Sequence, residues 1–223
     1  DFVYEGKEAG ELPVKLSVSE VKRMQSDDMG VSFIEPLKSE EMAMLSEVKG
    51  AEKGTVVHFV MQMINPDEIQ STLDVEAFLD RLEAEQIISP MQKASVDSEK
   101  ISKFLMSDIG QRMKNAVRRE TEFSFYTQET ADEIFGNGIK DKILLQGTID
   151  CFFIEDDGRV VLLDYKTDRA GTFDAAKKLA EKYSIQMKYY RRALSGILGR
   201  AVDECYLYFI DCGEMVSMSD EEE

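Results

Sequence analysis

Gly147-Thr148-Ile149-Asp150, a hairpin, and then Asp164-Tyr165-Lys166 place two carboxylates and a lysine inside stretches that otherwise read as apolar strands. A carboxylate buried without a partner is costly or takes up a proton. Two carboxylates at one spot repel, and a divalent cation is the usual relief. The segment therefore reads as a metal site with an attached lysine. The bland alternative is a pair of edge carboxylates salt-bridged to that lysine, which the apolar flanks disfavour.

The elements that must position these groups are two strands. Ile143 to Ile154 and Val160 to Thr167 are rich in Val, Ile, Leu and Phe, and Glu155-Asp156-Asp157-Gly158-Arg159 between them suits a turn whose glycine takes a positive φ. A hairpin symmetric about Asp157 sets Ile154 opposite Val160 and Asp150 opposite Asp164. Opposed residues share a face with Cβ atoms roughly 5 Å apart. Alternation adds Lys166 to that face, so one side of one hairpin is expected to carry Asp150, Asp164 and Lys166. A slip of one residue would undo this.

Asp, a hairpin and Asp-x-Lys resemble the signature of the PD-(D/E)XK nuclease superfamily. Gly147-x-x-Asp150 with Asp164-Tyr165-Lys166-Thr167 looks like its RecB-type branch. Three further strings occur in that branch's order: Gly54-x-x-x-His58, Arg119-Glu120-x-x-Phe123 and Gln186-x-x-x-Tyr190. The opening Leu16 to Arg23 is similar to the start of this domain in AddA-type subunits of bacterial helicase–nucleases that process double-strand breaks. The resemblance implies an α/β fold: a restriction-endonuclease-like core with a mixed central sheet flanked by helices, plus an N-terminal helical elaboration. It implies residues 1–116 as a mainly helical part contributing the His58 helix, 117–212 as the nuclease core and 213–223 as an acidic tail.

By the same resemblance, His58, Asp150, Asp164 and the Tyr165 carbonyl hold Mg²⁺ or Mn²⁺, while Lys166 positions or deprotonates the attacking water. Glu120 sits in or behind the metal shell, and Gln186, Tyr190, Lys188 and Arg191 bind DNA. His58 is the only histidine, and a lone histidine on an apolar helix is otherwise a hydrogen-bonded core residue. Imidazole is more at home on Mn²⁺ than on Mg²⁺, so Mn²⁺ activity is expected to equal or exceed Mg²⁺ activity. The implied substrate is single-stranded DNA cut from a 3′-terminated strand, leaving 5′-phosphate and 3′-hydroxyl ends. The implied partners are the helicase part of a longer polypeptide and an AddB subunit. The alternatives are a non-catalytic DNA-binding scaffold and a free-standing endonuclease.

Bulk properties bound these readings. The 223 residues suit one large domain, and no apolar run is long enough to cross a bilayer. No signal peptide and no phosphate-cradling loop occur, so a cytoplasmic chain without its own ATP site is expected. Cys151, Cys205 and Cys212 cannot supply the four ligands of an iron–sulfur cluster, and none is expected. The formal charge of −17 is unhelpful for a free DNA binder. Lys166 to Arg200 nevertheless holds nine Lys and Arg against three Asp and Glu. Such a chain would act on strands delivered to it.

Ser17-x-x-Glu20 predicts a capped helix to about Asp28, Gly30 to Pro36 a connector, and Ser39 to Val48 a helix. Further helices are predicted over Gly54 to Ile64, Asp74 to Ile88, Asp174 to Lys182 and Ser184 to Leu198, with short ones from Ser98 to Ala116. Strands are predicted over Val117 to Thr127 and Glu204 to Ile210, and Gly136-Asn137-Gly138 is read as a flexible turn.

Overall fold

The computed structural model describes residues 12–27 and 54–218. Strand β1 (Lys15–Ser17) leads straight into helix α1 (Val18–Asp27). The switch is made by a capping box, in which the Ser17 N–H donates to Glu20 Oε2 at 2.7 Å and the Glu20 N–H donates to Ser17 Oγ at 3.2 Å. Helix α2 covers residues 54–63 and stops ahead of Asn65-Pro66. Helices α3 (Thr72–Ala84), α4 (Pro90–Ser95), α5 (Ser98–Met106) and α6 (Asp108–Asn115) follow. Then come β2 (Arg118–Thr130), α7 (Ala131–Phe135), β3 (Lys142–Ile154) and β4 (Val160–Lys166). The chain continues with α8 (Phe173–Glu181), α9 (Ser184–Leu198), β5 (Glu204–Phe209) and β6 (Glu214–Ser217).

One mixed six-stranded sheet organises the molecule, in the order β1-β3-β4-β5-β6 with β2 on the other edge of β3. The hairpin register is the expected one, from Ile154↔Val160 to Cys151↔Leu163. Gly158 takes φ 90° at its turn. Strand β5 runs parallel to β4 after the α8–α9 crossover. Strand β3 is shared unequally along one edge: its first half pairs with β1 through Leu144, Leu145 and Gln146, and its last four residues pair with β4. Residues 147–150 lie in the fork between those two neighbours.

Two apolar layers sandwich the sheet. One joins α1, α8 and α9 to Leu145, Ile149, Phe152, Leu162 and Phe209. The other joins α2, α3, α5 and α6 to Cys151, Phe153, Val161, Leu163, Tyr165 and Tyr208. Arg112 of α6 ties the second layer to the hairpin, its guanidinium reaching Glu155 at 2.9 Å and Glu204 at 2.7 Å. No helix among the described residues is long and apolar enough to cross a membrane.

The architecture departs from the sequence expectation at short elements. Strand β1 adds residues 15–17 of the mainly helical N-terminal part to the central sheet. Residues 214–217, expected within the acidic tail, form β6 on the edge of β5. Ser89-Pro90 breaks one helix and also starts the next, because Ser89 caps Gln92 and proline takes the first turn. The predicted connector Gly30 to Pro36 and helix Ser39 to Val48 lie outside the described residues.

Candidate active site

The fork holds a local break in strand regularity. Strands β2 and β3 keep one register on both sides, Thr121↔Cys151 and Phe123↔Ile149, yet Glu122 and Asp150 between them do not pair. Glu122 takes φ 49°, a left-handed conformation that side chains other than glycine rarely adopt. Alternation slips here, because Ile149 packs in the first layer and Cys151 in the second. The slip turns the Glu122 and Asp150 carboxylates towards α2, where His58 Nδ1 lies 3.3 Å from Asp150 Oδ1. One donor atom from each of His58, Glu122 and Asp150 falls within 4.8 Å of the others.

Around this trio the electrostatics are strained. Burial raises the Glu122 carboxyl pKa, and the Asp150 charge adds to it. Burial opposes the imidazolium of His58, but the Asp150 hydrogen bond and charge, joined by Asp164, outweigh it and raise its pKa. Crowded donors of this kind favour a cation in their midst.

A second cluster adjoins the first. Asp164 is 0% exposed at the end of β4. Its carboxylate pairs with Lys166 Nζ at 2.5 Å and accepts from Gln186 Nε2 at 3.1 Å. Gln186 in turn accepts from Lys166 at 3.3 Å, so the amide bridges acid and base. Burial, followed by the Asp150 charge, raises the Asp164 carboxyl pKa, with Lys166 working against both. The Tyr183 ring lies 4.1 Å from Lys166 Nζ and 3.9 Å from Lys22 Nζ, and its hydroxyl donates to Asp168 at 2.7 Å. Asp150 links the two clusters by accepting the Tyr165 N–H at 2.7 Å.

A charged trio, a buried Asp–Lys pair and a fork between strands have a counterpart among known proteins. The family model described as the PD-(D/E)XK nuclease superfamily matches residues 37–223. The chain belongs to the PD-(D/E)XK nuclease superfamily. Curated relatives named as ATP-dependent helicase/nuclease subunits are similar over nearly the whole chain. The one from Clostridium kluyveri is 34% identical over 98% of this chain and 18% of its own length. That of Clostridium novyi is 37% identical over 93% of this chain and 18% of its own, and that of Alkaliphilus oremlandii 34% over 98% and 19%. The chain thus spans under a fifth of the length of these relatives.

Within this PD-(D/E)XK domain the structure brings His58, Asp150, Asp164, Lys166, Tyr165 and Gln186 together at the fork, but not on one face. Asp150 turns to His58 and Glu122, and Asp164 to Lys166 and Gln186, because the break at residues 122 and 150 interrupts the alternation that a shared face requires. Tyr165 meets the site through its backbone N–H, and its ring packs edge-on against Phe104 and lies edge-on to His58 at 6.3 Å. Glu120 stands apart, ion-paired with Arg118 at 3.1 Å, and Glu122 occupies the place expected of it.

On α9, Tyr190 packs edge-on against Phe125 beneath Gly147. Lys188 is exposed near Glu129, and Arg191 donates to the Val202 carbonyl at 3.3 Å. Neither joins the two clusters, since one helical face can present only the set Tyr183, Gln186 and Tyr190 to the fork. Glu122 escaped sequence reasoning because a positive φ at a glutamate leaves no mark on periodicity. The available signal was a carboxylate directly before Phe123, on the strand paired with the Asp150 strand.

Proposed function

We propose that this domain is a divalent-metal-dependent nuclease that hydrolyses phosphodiester bonds of single-stranded DNA. It would act in exonuclease fashion in the cytoplasm during double-strand-break processing and recombinational repair. The observation that carries the reading is the convergence of His58, Glu122 and Asp150 beside the Asp164–Lys166 pair. That the relatives are helicase/nuclease subunits supports a helicase in the rest of a longer polypeptide, and the AddA-type resemblance supports AddB as the partner.

The residues suit a metal ion. One nitrogen and two carboxylate donors lie within 4.8 Å of one another, with Asp164 adjacent and the Tyr165 carbonyl as the further donor that the motif implies. A bound divalent ion supplies an acidified water and charge neutralisation at the scissile phosphate. Lys166 would orient that water and stabilise charge building on the phosphate oxygens. Gln186 would hold Lys166 at its post through the amide bridge to Asp164. Lys22, sharing the Tyr183 ring with Lys166, would add a second positive charge to the approach of a phosphate.

The test is cleavage of end-labelled single-stranded DNA by this chain in Mg²⁺ or Mn²⁺, beside Lys166→Ala and Asp164→Ala. Metal-dependent cutting reduced on the order of 100-fold or more in each variant is expected, with Mn²⁺ at least as effective as Mg²⁺. Unchanged turnover in Lys166→Ala would remove the assignment. Absence of both cutting and metal binding would return the domain to a non-catalytic scaffold.

A further inference from the structure

Among the described residues, the half of the sheet before Asp150 carries an apolar layer on one face only. Ile143, Leu145 and Ile149 of β3 and Phe125 of β2 pack into the α1–α9 layer. The alternate positions, Lys15 and Ser17 on β1, Gln146 and Thr148 on β3, and Ser124 and Tyr126 on β2, are exposed or half-buried. The apolar layer of α2, α3, α5 and α6 gathers instead on Cys151, Phe153, Val161 and Leu163 beyond the fork. A polar floor three strands wide therefore ends at Asp150, which lies 3.3 Å from His58 of α2.

Tyr126 is the unusual member of this floor. A strand aromatic normally buries its ring against a neighbour. Here the residue is 62% exposed, and the Lys15 ammonium lies 5.4 Å from the ring centre. Beside it, a depression of about 330 Å³ takes Ser124, Tyr126, Gln146 and Thr148 from the floor, and its lining also includes Phe125 and Tyr190 of the apolar layer. Thr148 lies two residues from Asp150, and Gln146, which pairs with Tyr126, lies four away. Four strand residues correspond to roughly 13 Å, so Tyr126 sits next to the reacting centre but not at it.

We propose that this open face is a stacking floor for single-stranded DNA, with the Tyr126 ring as base platform and Lys15 beside it as phosphate contact. The proposal rests on the nuclease reading above and deepens it by naming how that site grips its substrate. Stacking suits this chain, since a base–aromatic contact needs no positive surface, and the formal charge is −17. An unpaired strand is the occupant because a base within a duplex cannot lay its face on a tyrosine. The floor, about 10 Å across from β1 to β2, is also the width of one strand rather than two.

The experiment measures binding of a fluorescent oligothymidine of about 12 nucleotides to the chain carrying Lys166→Ala, which prevents cutting, with Tyr126→Ala or Tyr126→Phe added. Tyr126→Ala is expected to weaken binding roughly 5- to 100-fold, with Tyr126→Phe restoring it and the melting temperature unchanged in both. Lys15→Ala is expected to make the salt dependence shallower by somewhat less than one unit of slope.

Equal affinity of Tyr126→Ala and its parent overturns the platform. If the otherwise unaltered chain still cuts single-stranded DNA, the nuclease reading survives that failure. Equal competition by duplex DNA overturns the single-strand assignment. A chain that neither binds oligothymidine nor cuts single-stranded DNA in Mn²⁺ overturns both.

Discussion

Strand β3 has two halves that face different surroundings, and the candidate active site lies where they meet. From Cys151 to Phe153 every residue is 0% exposed, as are Val160 to Leu163 across the hairpin. From Lys142 to Thr148 burial alternates, with Ile143 and Leu145 inside and Leu144, Gln146 and Thr148 half-buried. The first arrangement is a two-sided core that fixes strand positions by packing. The second leaves a polar surface open for contact. Charged groups at the rim of the rigid half can be held in costly conformations, such as Glu122 at φ 49°, because the packing beside them over-determines the backbone. The open half then offers a place for a substrate to lie.

The comparison breaks most directly by truncating one side chain in each half. Phe153→Ala, in the two-sided half, should cost about 3–5 kcal/mol in urea unfolding. Gln128→Ala, exposed on the one-sided half, should change stability by no more than about 0.5 kcal/mol. Equal losses would mean that both faces of the open half are covered.

Gly147 marks the seam, and its substitution should come next in size. A Cβ there would meet Phe125 Cζ at 2.6 Å and Tyr190 Cε1 at 3.0 Å, and both rings are buried and packed on each other. Gly147→Ala should therefore cost about 1–3 kcal/mol and lower cleavage as well, since Asp150 follows three residues later. Full activity with full stability would show that the rings yield freely.

The carboxylates at the seam offer a sharper contrast. Glu122→Gln should weaken Mn²⁺ binding on the order of 10-fold or more in calorimetry, whereas Glu120→Gln should leave it unchanged, because Glu120 is occupied with Arg118 outside the cluster. The reverse result would restore Glu120 to the metal shell.

How much of this was legible follows from what periodicity can carry. The hairpin register could be deduced because Gly158 fixes the turn and the apolar runs end symmetrically on either side of it. Helix α1 announced itself through Ser17 and Glu20. Strands β1 and β6, with three and four residues, are too short to develop a pattern, and their place comes from pairing with distant strands. Helix α7 hid behind strand residues, although Thr130 and Glu133 form a capping box that could have shown it.

In the site, His58, Asp150, Asp164, Lys166 and Gln186 were named from the sequence. Their division into two clusters was not, because it depends on a backbone break that alternation rules assume away. The change from Ile143-x-Leu145-x-Gly147-x-Ile149 to the continuous Cys151-Phe152-Phe153-Ile154 does record the passage from a one-sided to a two-sided sheet. With that passage noticed, the exposed Tyr126 would have stood out as well.

The smallest expected effect tests the covered face of the open half. Glu129 is 3% exposed there, with Arg192 Nη1 at 3.1 Å and Glu133 beside it. Burial, then the hydrogen bond with Glu133, pushes the Glu129 carboxyl up to about 7 from an ordinary value of 4.5. A carboxyl whose folded pKa lies above its unfolded one holds its proton in the folded chain after the unfolded chain has lost it. Its contribution to stability is therefore largest below about 4.5 and declines as pH rises to about 7. Glu133 works in a different window, since the Arg192 hydrogen bond holds it down near 2, so its stabilisation is present above about 4.5 and is lost progressively as pH falls to about 2. Glu129→Gln mimics the protonated acid, so the variant should gain on the order of 1 kcal/mol over the parent at pH 8. That gain should vanish near pH 4.5, as followed by urea unfolding across the range. A gain independent of pH would place the charge on Glu129 throughout, with Arg192 sufficient to hold it beneath the floor.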